Sequence, residues 1–111
     1  MDKLVSYRRF ICQILTEYAE LSSIAEDLET QFIFDTERDH YQLADIGWDK
    51  GRRVFGVLIH IDIKDGKIWL QYNGTEAHIA ERLVDMGVPA HDIVLGFHSE
   101  FKRQFSKYAV S

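Results

Sequence analysis

The dipeptide Asp65-Gly66 stands between two β-rich runs, Val54 to Ile63 and Lys67 to Asn73, and it narrows the fold more than any other feature of the chain. A two-residue type I′ turn requires positive φ at both central positions, and Asp-Gly meets that requirement at low steric cost. Such a turn sets the register. Ile63 faces Ile68, Ile61 faces Leu70 and Ile59 faces Tyr72 on one side of the sheet, which is therefore core. Asp62, His60 and Leu58 fall on the other side, opposite Trp69, Gln71 and Asn73, and make it mixed polar and aromatic. Upstream, Asp49-Lys50-Gly51 reads as a three-residue hairpin loop with Gly51 left-handed, joining a Tyr41 to Trp48 strand to the long strand that starts at Val54. With a further strand over Glu29 to Asp35, the middle of the chain is a meander.

Helical periodicity brackets that meander. Leu4, Tyr7, Ile11, Leu15, Tyr18, Leu21 and Ala25 recur at spacings of three and four, the stripe of an amphipathic helix, and Phe10 and Ile14 widen it. After the sheet, Asn73 is placed to cap a second helix, with Glu76 reaching back as in a capping box and Ile79, Leu83 and Met86 facing inward. Gly87 is placed to end that helix, and Pro89 prevents it from resuming. Ile93 to Phe97 reads as one more strand, whereas Phe101 to Tyr108 is polar, aromatic and compatible with either state. The expected fold is α+β: an N-terminal helix and a second helix packed on a largely antiparallel sheet of about four or five strands, in one domain over residues 1–111.

Charge separates the functional classes. The net charge is −5, and from Glu17 to Asp49 Arg38 is the only Lys or Arg against ten carboxylates, a stretch that repels a duplex. Basic residues gather in three small clusters, Lys50/Arg52/Arg53, Lys64/Lys67 and Lys102/Arg103/Lys107, so strong direct nucleic-acid binding is not expected. Cys12 is the single cysteine, which rules out an intrachain disulfide and a Cys-rich zinc motif. No uninterrupted apolar run suits a signal peptide or a membrane span, and a cytoplasmic location is the expectation.

Chemistry-bearing motifs are sparse. His60 and Asp62, two apart on one strand, project from the same face, and Asp35, Asp39, His40 and His98 are within conceivable reach, which opens a metal-dependent enzyme as an alternative. No Gly-x-Gly-x-x-Gly phosphate loop and no Gly-x-Ser-x-Gly elbow is present. Aromatic residues are more numerous than a small core must hide, and aromatics with Arg are the commonest interface anchors. A partner-binding surface drawn from Trp48, Arg53, His60, Asp62, Trp69, Arg103 and Tyr108 is the reading favoured here, with no catalytic residue, metal or cofactor assigned.

The ordered segments Asp39-His40-Tyr41, Gly47-Trp48 and His60 to Trp69, then Gly74-Thr75-Glu76, Gly87-Val88-Pro89 and Asp92 to His98, resemble the XisI family, the fdxN element excision controlling factors. Arg103 and Tyr108-Ala109-Val110 continue the match, whereas Ser99 and Glu100 stand where the family commonly has prolines. The resemblance implies a cyanobacterial accessory protein in the excision of a DNA element that interrupts a nitrogen-fixation gene. It implies action beside a recombinase and a second accessory protein, XisH, through protein contacts and self-association rather than catalysis. A direct DNA-binding regulator is the third alternative.

Overall fold

The computed structural model describes residues 2–22 and 27–111. Helix α1 (Lys3–Leu21) is followed by strands β1 (Leu28–Asp35), β2 (His40–Asp49), β3 (Arg52–Lys64) and β4 (Lys67–Asn73), then helix α2 (Ile79–Asp85), a 3-10 turn (Ala90–Asp92), β5 (Ile93–Leu95) and the short helix α3 (Glu100–Arg103). The five strands form one sheet in sequence order, antiparallel except for the parallel β4–β5 pair. This is the expected α+β architecture.

Helix α1 starts where the Asp2 side chain accepts from the Leu4 amide, and it buries Tyr7, Ile11, Ile14 and Leu15. These residues meet a sheet face formed by Tyr41, Leu43, Ile59, Ile61, Ile63, Ile68 and Leu70. Three-and-four spacing on the helix and two-residue spacing on the strands thus build one core from opposite sides. The stripe stops earlier than its periodicity implies. Leu21 is 87% exposed, and Ala25 lies outside the described residues. Helix α2 closes the end of the same core with Ile79, Ala80 and Leu83.

Of the three hairpin turns, the β1–β2 turn spans the four residues between Asp35 and His40, and the other two are two residues long. Asp65 and Gly66 have φ of 53° and 77°, as the type I′ reading requires. The other two-residue loop corrects the sequence reading: Asp49 pairs with Arg52, leaving Lys50 and Gly51 alone in the turn with φ of 52° and 78°. A second correction concerns the β3–β4 register. Ile63 faces Ile68 and Ile61 faces Leu70 as expected, but a bulge at Gln71 then puts Tyr72 opposite His60 and Asn73 opposite Ile59. Tyr72 is consequently half exposed rather than core.

Asn73 does not cap α2. Its carboxamide oxygen accepts from the Thr75 amide and hydroxyl and its Nδ2 donates to the Ala77 carbonyl, which ties up residues 73–77 in a turn and delays the helix to Ile79. The far end follows the expected pattern. The Gly87 amide donates to Val84 and the Val88 amide to Leu83, a Schellman closure with Gly87 at φ 112° and Val88 buried. Among the described residues no helix is long and apolar enough to cross a membrane.

The molecule is elongated: its radius of gyration is 14.7 Å, where a compact chain of this length has about 13 Å. The β2–β3 hairpin is its least covered part and projects into solvent, with residues 51–53 and 55–57 all exposed. Gly47 lets the start of β1 approach this hairpin closely. Its φ is +146°, and a Cβ there would lie 2.1 Å from the Asp27 carbonyl oxygen, the group that accepts from the Trp48 amide.

Candidate functional site

One sheet face is covered by α1; the other has no helix layer over most of its breadth. Strand register sorts residues onto this open face in rows that run across the strands. Asp35, His40, Asp62 and Trp69 make one row and Ile33, Gln42 and His60 the next. Further out along the projecting hairpin come Ala44 with Val57, Ile46 with Phe55, and Trp48 with Arg53. The face therefore grades from a polar patch over the body to an apolar patch on the arm.

The polar patch is a connected network. His40 Nδ1 and His60 Nε2 both lie 2.7 Å from Asp62 Oδ1, while the Gln71 amide donates to Asp62 Oδ2 at 3.2 Å. Gln42 meets the remaining ring nitrogen of His60, Nδ1, at 2.7 Å. Partial burial pushes the Asp62 carboxyl up, but the His40 hydrogen bond and the neighbouring His60 outweigh it, so the group is held below the usual carboxylate range. The same hydrogen bond raises His40 above an ordinary imidazole. Gln71 owes its position to Gly96: a Cβ on that glycine would lie 2.5 Å from the Gln71 carboxamide oxygen.

Of the residues that sequence placed within conceivable reach of His60 and Asp62, only His40 joins them. Asp39 turns to the helix side, where Arg8 grips it through Nε at 2.7 Å and Tyr41 donates to it. Asp35 accepts the Glu37 and Arg38 amides in its own turn, and the His98 ring packs on Phe97. Sequence reasoning put Gln71 on this face without naming it as a partner of Asp62, and it missed Gln42, whose alignment with His60 depends on a bulge in β3.

Trp69 stands on β4, on the open face, between two cations, Lys64 Nζ at 4.8 Å and the Arg103 guanidinium carbon at 5.5 Å from its ring centroid. Its indole Nε1 is buried without a hydrogen-bond partner. Arg103 also donates to the carbonyls of Val110 and His98, so it fastens the C-terminal tail, whose Ala109 bridges to Val94 beside β5. Tyr108 packs against the core edge and donates to Glu81. The second and third basic clusters thus meet around Trp69. The first sits at the opposite end of β3, whose 13 residues span roughly 40 Å.

On the arm, Trp48 is 51% and Phe55 78% exposed, with Val57 also open to solvent. Arg53 lies over the Trp48 ring at 5.4 Å. Among the described residues no carboxylate pairs with Lys50, Arg52 or Arg53.

These features define a class: a small helix-on-sheet α+β domain whose second sheet face, left without a helix layer, carries its polar and aromatic groups. The chain belongs to the XisI family, whose description, XisI protein, matches residues 1–110. It is similar to the crystal structure of a XisI-like protein from Anabaena variabilis, with 49% identity, a TM-score of 0.91, and coverage of 97% of this chain and 99% of that one. It is also similar to the fdxN element excision controlling factor XisI from Anabaena variabilis, at 35% identity and a TM-score of 0.87, covering 99% of this chain and all of that one. No curated protein sequence matches the chain.

Proposed function

We propose that this chain is an accessory factor for excision of a DNA element and that it acts by docking an XisH-like protein on the open sheet face. A site-specific recombinase is then engaged through that complex. The observation that carries the reading is the projecting β2–β3 hairpin. It holds Trp48, Phe55 and Val57 in solvent beside Arg53, at a cost in exposed apolar surface that a free monomer has no reason to bear. The cations at its tip, Lys50, Arg52 and Arg53, which pair with no carboxylate among the described residues, favour an acidic partner surface. The polar row around Asp62 and the Trp69 stack extend the surface toward the body.

Co-expression with a cognate XisH-like protein, read by light scattering, tests this. A defined complex that Phe55→Ala and Trp48→Ala weaken at least tenfold supports docking through the arm. A folded pair that never associates, or a complex indifferent to both changes, overturns it. The same measurement on the chain alone reads self-association, the second role open to this arm. Direct DNA binding draws support from the convergence of Lys64 and Arg103 on Trp69. Salt-sensitive duplex affinity that Trp69→Ala abolishes would favour it over docking.

A further inference from the structure

The docking reading makes no use of one arrangement in the polar patch. Two imidazoles from adjacent strands converge on the same oxygen of one carboxylate, each at 2.7 Å, and the donor atoms of all three residues lie within 4.8 Å of one another. From this geometry we propose that His40, His60 and Asp62 form a binding site for one divalent transition-metal ion of the zinc type.

The donor set selects the ion. Two imidazole nitrogens and one carboxylate oxygen suit zinc, cobalt or nickel, whereas calcium and magnesium want oxygen donors throughout. Metal ligands in a tetrahedral zinc site stand about 3.3 Å apart, so the ion enters by a small spreading of the three side chains in place of the shared hydrogen bonds. His40 coordinates through Nδ1 and keeps its Nε2–H in solvent, where the half-exposed ring is free to adjust. His60 coordinates through Nε2, and its proton resides on Nδ1. Gln42 is already at 2.7 Å from that nitrogen, and with its carboxamide oxygen turned to the ring it accepts the Nδ1–H. Gln71 holds the other carboxylate oxygen in place. Each ligand not free in solvent thus has an outer partner that orients it, as metal-ligating His and carboxylate groups normally do. Three protein ligands leave a position open toward solvent on the proposed docking face.

Untagged chain, stripped with chelator and desalted, is titrated with Co²⁺ and Zn²⁺ and followed by the cobalt d–d absorption and by calorimetry. One equivalent per chain is expected, with binding removed by His60→Ala or by His40→Ala. Gln42→Leu is expected to weaken it by about 10- to 100-fold. His78→Ala and His91→Ala, both on exposed positions away from the cluster, leave it unchanged. No uptake at millimolar metal, or uptake that tracks His78 and His91 instead of His40 and His60, overturns the proposal. His40 is exposed enough that its removal leaves the fold intact, so the cobalt signal of that variant decides the matter even if His60→Ala unfolds.

Discussion

The two faces of the sheet are made from the same strands and have opposite fates. On the helix side, Leu43, Ile59, Ile61 and Ile68 have no solvent exposure and interlock with Ile11 and Leu15. On the open side, the alternate residues of those strands are His, Gln and Asp over the body, and aromatic or β-branched residues along the arm. An isoleucine and the histidine next to it therefore answer to different demands, one to packing and the other to whatever meets the surface. The difference teaches that stability and recognition can be altered separately in this chain, and substitution is the way to test it.

The largest effect on folding is expected from the covered face. Ile61→Ala removes side-chain volume from a fully buried site between α1 and the sheet, and such truncations cost about 2–5 kcal/mol. Denaturant unfolding of the variant checks it. A loss below 1 kcal/mol would mean that the core can collapse onto the gap and that the contrast between the faces is weaker than burial implies.

Next comes the polar tie that locks α1 to the strand edge. Tyr7 donates to Asp92 Oδ2 at 2.5 Å and Lys3 reaches the same oxygen at 3.2 Å. Burial pushes the Asp92 carboxyl up, but these two donors prevail and hold it below its ordinary value. Its folded pKa is thus lower than its unfolded one. The stabilisation is present above the unfolded carboxylate value of about 3.9 and is lost as pH falls from there through the folded pKa. Asp92→Ala leaves the buried Tyr7 hydroxyl unpaired, for an expected loss of about 1–3 kcal/mol at neutral pH. Melting temperatures of both chains across pH 2 to 7 should converge at the acid end. Parallel curves would show that Asp92 has the same pKa in the folded and unfolded chain, so that its two donors do not favour the charged form.

A smaller effect is expected at the turn that was most legible in the sequence. Gly66 has φ of 77°, and a Cβ there would make only ordinary contact with the end of the Lys3 side chain, 3.7 Å from its Nζ, so Gly66→Ala costs about 1 kcal/mol through backbone conformation. Thermal unfolding measures it. A neutral result would indicate that the hairpin relaxes to another turn type.

How much could be read in advance follows from how local each determinant is. Asp65-Gly66, the α1 stripe as far as Tyr18 and the Gly87 closure are written in a few adjacent residues, and the structure shows all three. The open-face network was half legible. His60 and Asp62 share a face because they are two apart, but their alignment with Gln42 and His40 depends on a two-residue turn at Lys50-Gly51 followed by a bulge at Leu58, where the pairing shifts between Leu43 and Ala44. Gln71 likewise reaches Asp62 only beside the β4 bulge and the missing side chain of Gly96. Bulges carry no reliable local signature, and each one moves every pair beyond it by a residue. The resemblance to XisI proteins compensated for this, since it rests on the order of motifs rather than on register.

The smallest change in stability, and the sharpest test of the comparison, belongs to the arm. Phe55 is 78% exposed and has Gly56 and Ile46 rather than a helix around it. Truncating it to Ala removes little buried surface, so unfolding free energy should stay within about 0.5 kcal/mol of the parent chain. Association should not be so tolerant: an aromatic anchor at the centre of an interface commonly contributes about 2 kcal/mol or more, which is at least a tenfold loss of affinity. Phe55→Ala is therefore expected to unfold like the parent in urea while losing its complex in light scattering. If it instead unfolds early, Phe55 packs against the chain's own surface in solution and the open face is less open than its register implies. If both measurements are unchanged, recognition lies nearer the body, around Asp62 and Trp69, and the arm serves another purpose.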